Sequence, residues 1–243
     1  MNLETLVRKT VESKPPRVVL YGIRGIGKTT WAANAPSSIF LLTEDGLGEI
    51  DVPHFPLVKD YDEFCQYLRM LYEEENEFKT IVIDTLDWLE TIIWDSIAKK
   101  HGVSNVDALG YGKGYLFAME LWMELVKKFN KLRDKGFAIV CLAHSEIKSF
   151  SPPDTDPYDR YQIKLHKMAA AKIEEWSDVV LFANYKTYVQ KNRKPVNAEQ
   201  ERVMFTTNKP AWFAKNRYSL PEELPMDFSA LLNNIKKGKK ENG

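Results

Sequence analysis

Residues 22–29 read Gly-Ile-Arg-Gly-Ile-Gly-Lys-Thr and fit G-x-x-x-x-G-K-[ST] at every fixed position. With glycine near ~7% of residues, those four positions would coincide by chance in roughly one chain in a hundred of this length. The flanks narrow it further: "RVVLYG" before the loop is a short β-rich run, and Thr29 to Asn34 begins a helix. Strand, glycine turn, helix is the geometry in which successive backbone N–H groups converge on one phosphate, with a helix start adding partial positive charge. On that reading Gly22, Ile23, Arg24, Gly25, Ile26 and Gly27 form the cradle, and Lys28 reaches the outer phosphate oxygens. Thr29 offers its hydroxyl to Mg²⁺, and Thr30 lies beside the innermost phosphate.

The rest of the chain repeats the alternation. "SIFLLT", "TIVID", "FAIVCLA" and "DVVLFANY" are apolar throughout, and helix-length segments separate them: Tyr61 to Glu75, Trp88 to Ala98, Leu116 to Leu132 and Leu165 to Trp176. Runs without a polar face belong to strands covered on both sides, so the expected class is α/β with a mostly parallel sheet flanked by helices. "HFPLV" reads as a short edge piece broken by Pro56. "RVMFTT", after the polar turn "QKNRKPVNAEQE", returns as an antiparallel C-terminal edge hairpin. Two stretches read as loops, the Gly-rich "HGVSNVDALGYGKGY" and the Pro- and Asp-rich "SEIKSFSPPDTDPYDRYQIK". The expected organisation is an N-terminal helix and linker over 1–16, one nucleotide-phosphate-binding domain over 17–225, and a C-terminal helix with a frayed basic tail over 226–243.

Composition removes several classes. Lys+Arg and Asp+Glu are 34 each, so any nucleic-acid contact must come from local clustering of charge. Cys65 and Cys141 are distant in sequence and the four histidines are scattered, which leaves no disulfide framework or zinc spacing and predicts two free thiols. No run is long and apolar enough for a membrane span, and the acidic N-terminus lacks a signal-type apolar core. The expected location is cytoplasmic, with no membrane partner.

A magnesium-binding carboxylate should close a neighbouring strand, and Asp84 at the end of "TIVID" has that position, the Walker B arrangement. Thr85 follows it, where many motor ATPases carry a glutamate. The acid that orients water is therefore sought elsewhere, at Glu44 ending "SIFLLTED" or at Asp87, with Glu44 preferred because it ends a strand.

These residues together resemble the RecA-type ATPases, in particular the short RadA-like core proteins of bacteriophages that act in ATP-dependent recombination or single-strand annealing. The phosphate loop, "FLLTED", "TIVIDTLDWL" and "GFAIVCLAHSE" carry the resemblance, which runs from about Arg17 to Pro221. It implies a RecA-like P-loop core, ATP and Mg²⁺ as cofactors, ATP hydrolysis stimulated by DNA, and single-stranded DNA as partner. A homo-oligomer, ring or filament, and a single-stranded-DNA-binding protein are the further partners implied.

The resemblance also assigns roles. His144 matches the strand-end polar residue that senses the γ-phosphate, where the family more often has Gln or Asn; a neutral imidazole can donate one hydrogen bond there. The two loops fall where the family contacts DNA. The first offers Lys113 and Tyr115, the second Lys148, Phe150, Arg160, Tyr161 and Lys164, aromatics among cations as single strands require. Lys215 and Arg217, spaced K-x-R, resemble cations inserted into a neighbouring subunit's nucleotide site. A DnaB-like helicase or helicase loader is the alternative, disfavoured by the short stretch before the first strand. A P-loop ATPase or kinase that ignores nucleic acid is the third, disfavoured by the lack of an Arg-rich lid.

Overall fold

The apolar runs owe their uniformity to a sheet with two buried faces. In the computed structural model, which describes residues 14–189 and 195–241, strand residues alternate between two separate cores. Val19, Tyr21, Leu41, Ile83 and Cys141 join one; Val18, Leu20, Leu42, Val82 and Leu142 join the other. Neighbouring side chains on a strand point to opposite faces, so a strand covered on both sides must be apolar at every position.

Five strands make the parallel part: β1 (Arg17–Gly22), β2 (Ser38–Leu42), β3 (Thr80–Asp84), β4 (Ala138–Phe150) and β6 (Val179–Val189). β5 (Tyr158–Ile163) pairs with β4, β7 (Pro195–Phe205) with β6, β8 (Lys215–Asn216) also with β6, and β9 (Glu223–Pro225) with β7, all antiparallel. The order is β2-β3-β4-β1-β6-β7-β9. β4 thus stands between the phosphate-loop strand and the strand that ends in Asp84. The C-terminal hairpin lies on the sheet's edge as expected, although its tip, 190–194, is outside the described residues, as is the expected helix within 1–13.

Helices α2 (Tyr61–Glu73), α3 (Leu86–His101), α4 (Lys113–Asp134) and α5 (Lys167–Trp176) cover one face. The short α1 (Lys28–Ala33) and α6 (Phe228–Glu241) cover the other, where Trp31 meets Phe228 at 4.6 Å between ring centroids. The segment after residue 225 is therefore no loose appendage: Phe228, Leu231 and Ile235 are buried in the same core as the strands. Both cysteines are free. Among the described residues no helix is long and apolar enough to cross a membrane.

The second long loop is corrected by the structure. β4 continues past His144 to Phe150 and the chain turns through 151–157, so the polar stretch is mostly a two-stranded hairpin off the main strand order. Its buried residues, Arg160 and Ile163, are interleaved with polar ones and form no apolar run, so the pattern that reveals a strand is missing.

Candidate nucleotide-phosphate site

Gly22 ends β1 where a β-carbon would meet the Ala183 carbonyl oxygen at 2.3 Å, so only glycine fits between β1 and β6. Gly25 and Gly27 have φ of 74° and 98°, the left-handed region the loop needs to curl back into α1. Lys28 lies folded into the cradle, its Nζ donating to the carbonyls of Ile23 (3.2 Å) and Gly22 (3.4 Å). Burial pulls its ammonium below the ordinary lysine range, against the opposite pull of Asp84, Asp87 and Glu44. A cation held by two weak neutral acceptors among three acids is ready to exchange those carbonyls for phosphate oxygens.

Thr29 Oγ1 donates to Asp84 Oδ2 at 2.8 Å, joining the first turn of α1 to the end of β3. Burial pushes the Asp84 carboxyl up to about 6; Thr29 pulls it down, Glu44 raises it and Lys28 lowers it. The two oxygens suit Mg²⁺, a hard ion that takes one or two protein ligands and completes its shell with water and phosphate. Among the described residues no cluster of three or more His, Cys, Asp or Glu side chains could hold a metal. Bound there, the ion would offset charge on the outer phosphates.

The two candidates for orienting water have different surroundings. Glu44, half-buried at the end of β2, accepts from Thr85 Oγ1 at 3.1 Å and so stands beside the metal pair. Thr85 itself is fixed by Thr43, whose hydroxyl donates to the Thr85 carbonyl (2.7 Å) and accepts from its N–H (2.8 Å). Asp87 is occupied instead: Oδ1 accepts the His144 backbone N–H at 3.0 Å, and Oδ2 lies 2.9 Å from His144 Nδ1. Burial pushes Asp87 up, but the His144 hydrogen bonds outweigh it and hold the carboxyl below its usual range. His144 is level with Gly22 in the β1–β4 register, at the mouth of the loop.

The residues expected to meet DNA divide. Lys113, Lys148 and Lys164 are exposed, Lys148 paired with Glu146 at 2.7 Å and Lys164 3.9 Å from Asp87. The other four are engaged internally. Arg160 is only 8% exposed, bound to Asn208 Oδ1 and the Trp212 carbonyl, and lies over the rings of Phe150 and Phe213. Phe150 packs edge-on against Tyr158, Tyr161 stacks on Phe182 at 4.9 Å, and Tyr115 stacks on His166 at 4.3 Å. Arg160 is thus a core cation rather than a surface contact, because the hairpin stem folds it onto the C-terminal segment.

Lys215 and Arg217 do point the same way, towards the rim opposite the phosphate loop. Lys215 Nζ donates to the Glu174 and Glu175 carbonyls (2.7 and 2.8 Å) that end α5, and Arg217 pairs with Asp178 at 3.2 Å. Asp178 also binds Arg17 (2.7 Å) and Arg133 (3.0 Å). Sequence reasoning passed over three groups: this Asp178 hub; Glu90, buried one turn after Asp87; and Arg202, which touches the Ile26 carbonyl from β7. None belongs to a motif, so only the tertiary fold reveals it.

Comparison with known proteins agrees with this geometry. The chain is 22% identical over 234 residues to the SPbeta prophage-derived uncharacterized protein YorG of Bacillus subtilis (strain 168), covering 93% of this chain and 66% of that protein. A family model described as an AAA domain matches residues 14–218, which run from just before β1 past the Lys215–Arg217 pair. A match across so much of the fold, with phosphate loop and strand-end acid inside it, means that the chain belongs to the AAA domain family of P-loop ATPases.

Proposed function

We propose that this protein is a RecA-like ATPase that acts on single-stranded DNA in recombination or strand annealing, working as a homo-oligomer with ATP and Mg²⁺. The observation that carries the reading is where the acid stands. Glu44, at the end of β2, reaches the Asp84–Thr85 corner through the Thr85 hydroxyl, while no acid directly follows Asp84. In this reading Lys28 offsets charge on the transferred phosphoryl group, Glu44 orients the attacking water and His144 meets the γ-phosphate. β4 then runs from His144 straight into the hairpin that bears Lys148, so nucleotide state and strand contact share one strand. Lys113, Lys148 and Lys164 follow the phosphates of the strand, and Tyr111, fully exposed before α4, offers a ring for stacking.

The test is steady-state ATP hydrolysis with and without single-stranded DNA at low and high salt. Stimulation of about tenfold or more, fading as salt rises, is expected. Lys28→Ala should abolish hydrolysis, and Glu44→Gln should slow it by at least about a hundredfold with ATP still bound. A rate indifferent to DNA at low salt removes the nucleic-acid half of the proposal.

A further inference from the structure

Arg202 Nη1 donates to the Ile26 carbonyl at 3.3 Å and lies 2.7 Å from where a β-carbon on residue 27 would be. Gly27 leaves the space this guanidinium occupies. The contact is slight for such a group: arginine has five N–H donors in a planar fork suited to oxyanions, and Ile26 offers one neutral oxygen. The side chain is otherwise exposed, and among the described residues it forms no ion pair. The sheet order says which part of a nucleotide it could meet. β3 and β4 bring Asp84 and His144 to one side of β1, and β6 and β7 bring Arg202 to the other. A nucleotide with its terminal phosphate towards the acids has its inner phosphates towards Arg202.

We propose that Arg202 is a nucleotide-binding residue that leaves the Ile26 carbonyl to hold the α- and β-phosphates in its own subunit's site. This rests on the ATP reading above and adds to it. ATP and ADP share those phosphates, so Arg202 serves affinity for both and contributes little to the rate once the site is full.

The experiment is titration of the full-length chain with ATP (hydrolysis blocked by omitting Mg²⁺ or by Glu44→Gln) and with ADP, beside kcat at saturating ATP. Arg202→Ala and Arg202→Gln should each weaken both nucleotides by about tenfold, with kcat within about twofold of the parent. Arg202→Lys should recover part of the affinity, since it keeps the charge and loses the fork. Unchanged thermal melting separates this from misfolding, which an exposed side chain is not expected to cause. Affinities within twofold of the parent overturn the proposal, as does a loss confined to ATP, which would place the cation at the γ-phosphate. If the parent binds neither nucleotide, the ATP reading itself fails; if it binds and Arg202→Ala binds equally well, only the role of Arg202 is lost.

Discussion

An ionised carboxylate can only accept hydrogen bonds, so the 2.9 Å contact of Asp87 puts the imidazole proton on Nδ1 of His144. The neutral ring then presents a bare Nε2, an acceptor, where the sequence suggested a neutral donor to phosphate. Asp87→Asn reverses this, because an amide N–H can donate to Nδ1 and move the proton to Nε2. A donor facing the γ-phosphate should tighten ATP by about tenfold, and adding His144→Ala should remove the gain. A singly substituted protein that binds ATP no better than the parent would show that His144 Nε2 does not meet the phosphates. Asp178 concerns stability instead. Its side chain is 7% exposed and binds three arginines, with burial raising its carboxyl and Arg17 overriding that to hold it below the usual range. Asp178→Ala should cost about 3–5 kcal/mol in denaturant unfolding at pH 7. The native contribution is present above the unfolded carboxyl's pKa near ~3.9 and lost as pH falls through the folded value. At this scale the phosphate loop was legible because its spacing is its chemistry. Arg160 and Tyr161 were not, since a cation beside an aromatic looks the same in sequence whether it meets a nucleotide base or Phe182.

At the scale of elements, α3 acts as a clamp. Asp87 holds His144 where β4 becomes the hairpin, and one turn later Glu90 Oε2 accepts the His166 N–H at 2.8 Å, just beyond β5. One helix, starting next to Asp84, therefore grips both feet of the β4–β5 hairpin. The sequence placed the start of α3 at Trp88, two residues late, which left Asp87 outside the helix; the pairing of Asp87 and Glu90 on successive turns became visible only with the true start at Leu86. Burial pushes the Glu90 carboxyl up to about 7, against the opposing His166 N–H. Between the ordinary glutamate value near ~4.3 and about 7 the folded state binds more protons than the unfolded one, so this group makes stability fall as pH rises. Glu90→Gln keeps the acceptor and removes the titration. It should be more stable than the parent at pH 8 by on the order of 1–3 kcal/mol and near parity at pH 4.5, read from urea midpoints. Equal midpoints at pH 8 would mean that Glu90 ionises without cost.

For the whole molecule, the two rims of the sheet carry different sets of residues. The phosphate loop, Glu44, Asp84 and His144 share the rim where the parallel strands end. Lys215 pairs with Val180, which is level with Val19, three residues and about 10 Å short of Gly22. Its side chain runs on in the opposite direction, to the last carbonyls of α5. Lys215 and Arg217 therefore do not serve this chain's own phosphates, and any nucleotide they reach belongs to another copy. That yields a mixing test. Lys28→Ala lacks a working phosphate loop and keeps the cations; Lys215→Gln with Arg217→Gln keeps the loop and lacks the cations. Each alone should be inactive in hydrolysis, the second still binding ATP, and an equal mixture should regain activity at interfaces that pair an intact loop with intact cations. The recovery should approach a quarter of the parental rate if subunits mix at random and only such interfaces turn over, since in-trans cations of this kind are worth about 10³–10⁵ in rate. A mixture as inactive as its components, from proteins whose melting matches the parent, would leave Lys215 as a cap on α5 and Arg217 as a fourth member of the Asp178 hub.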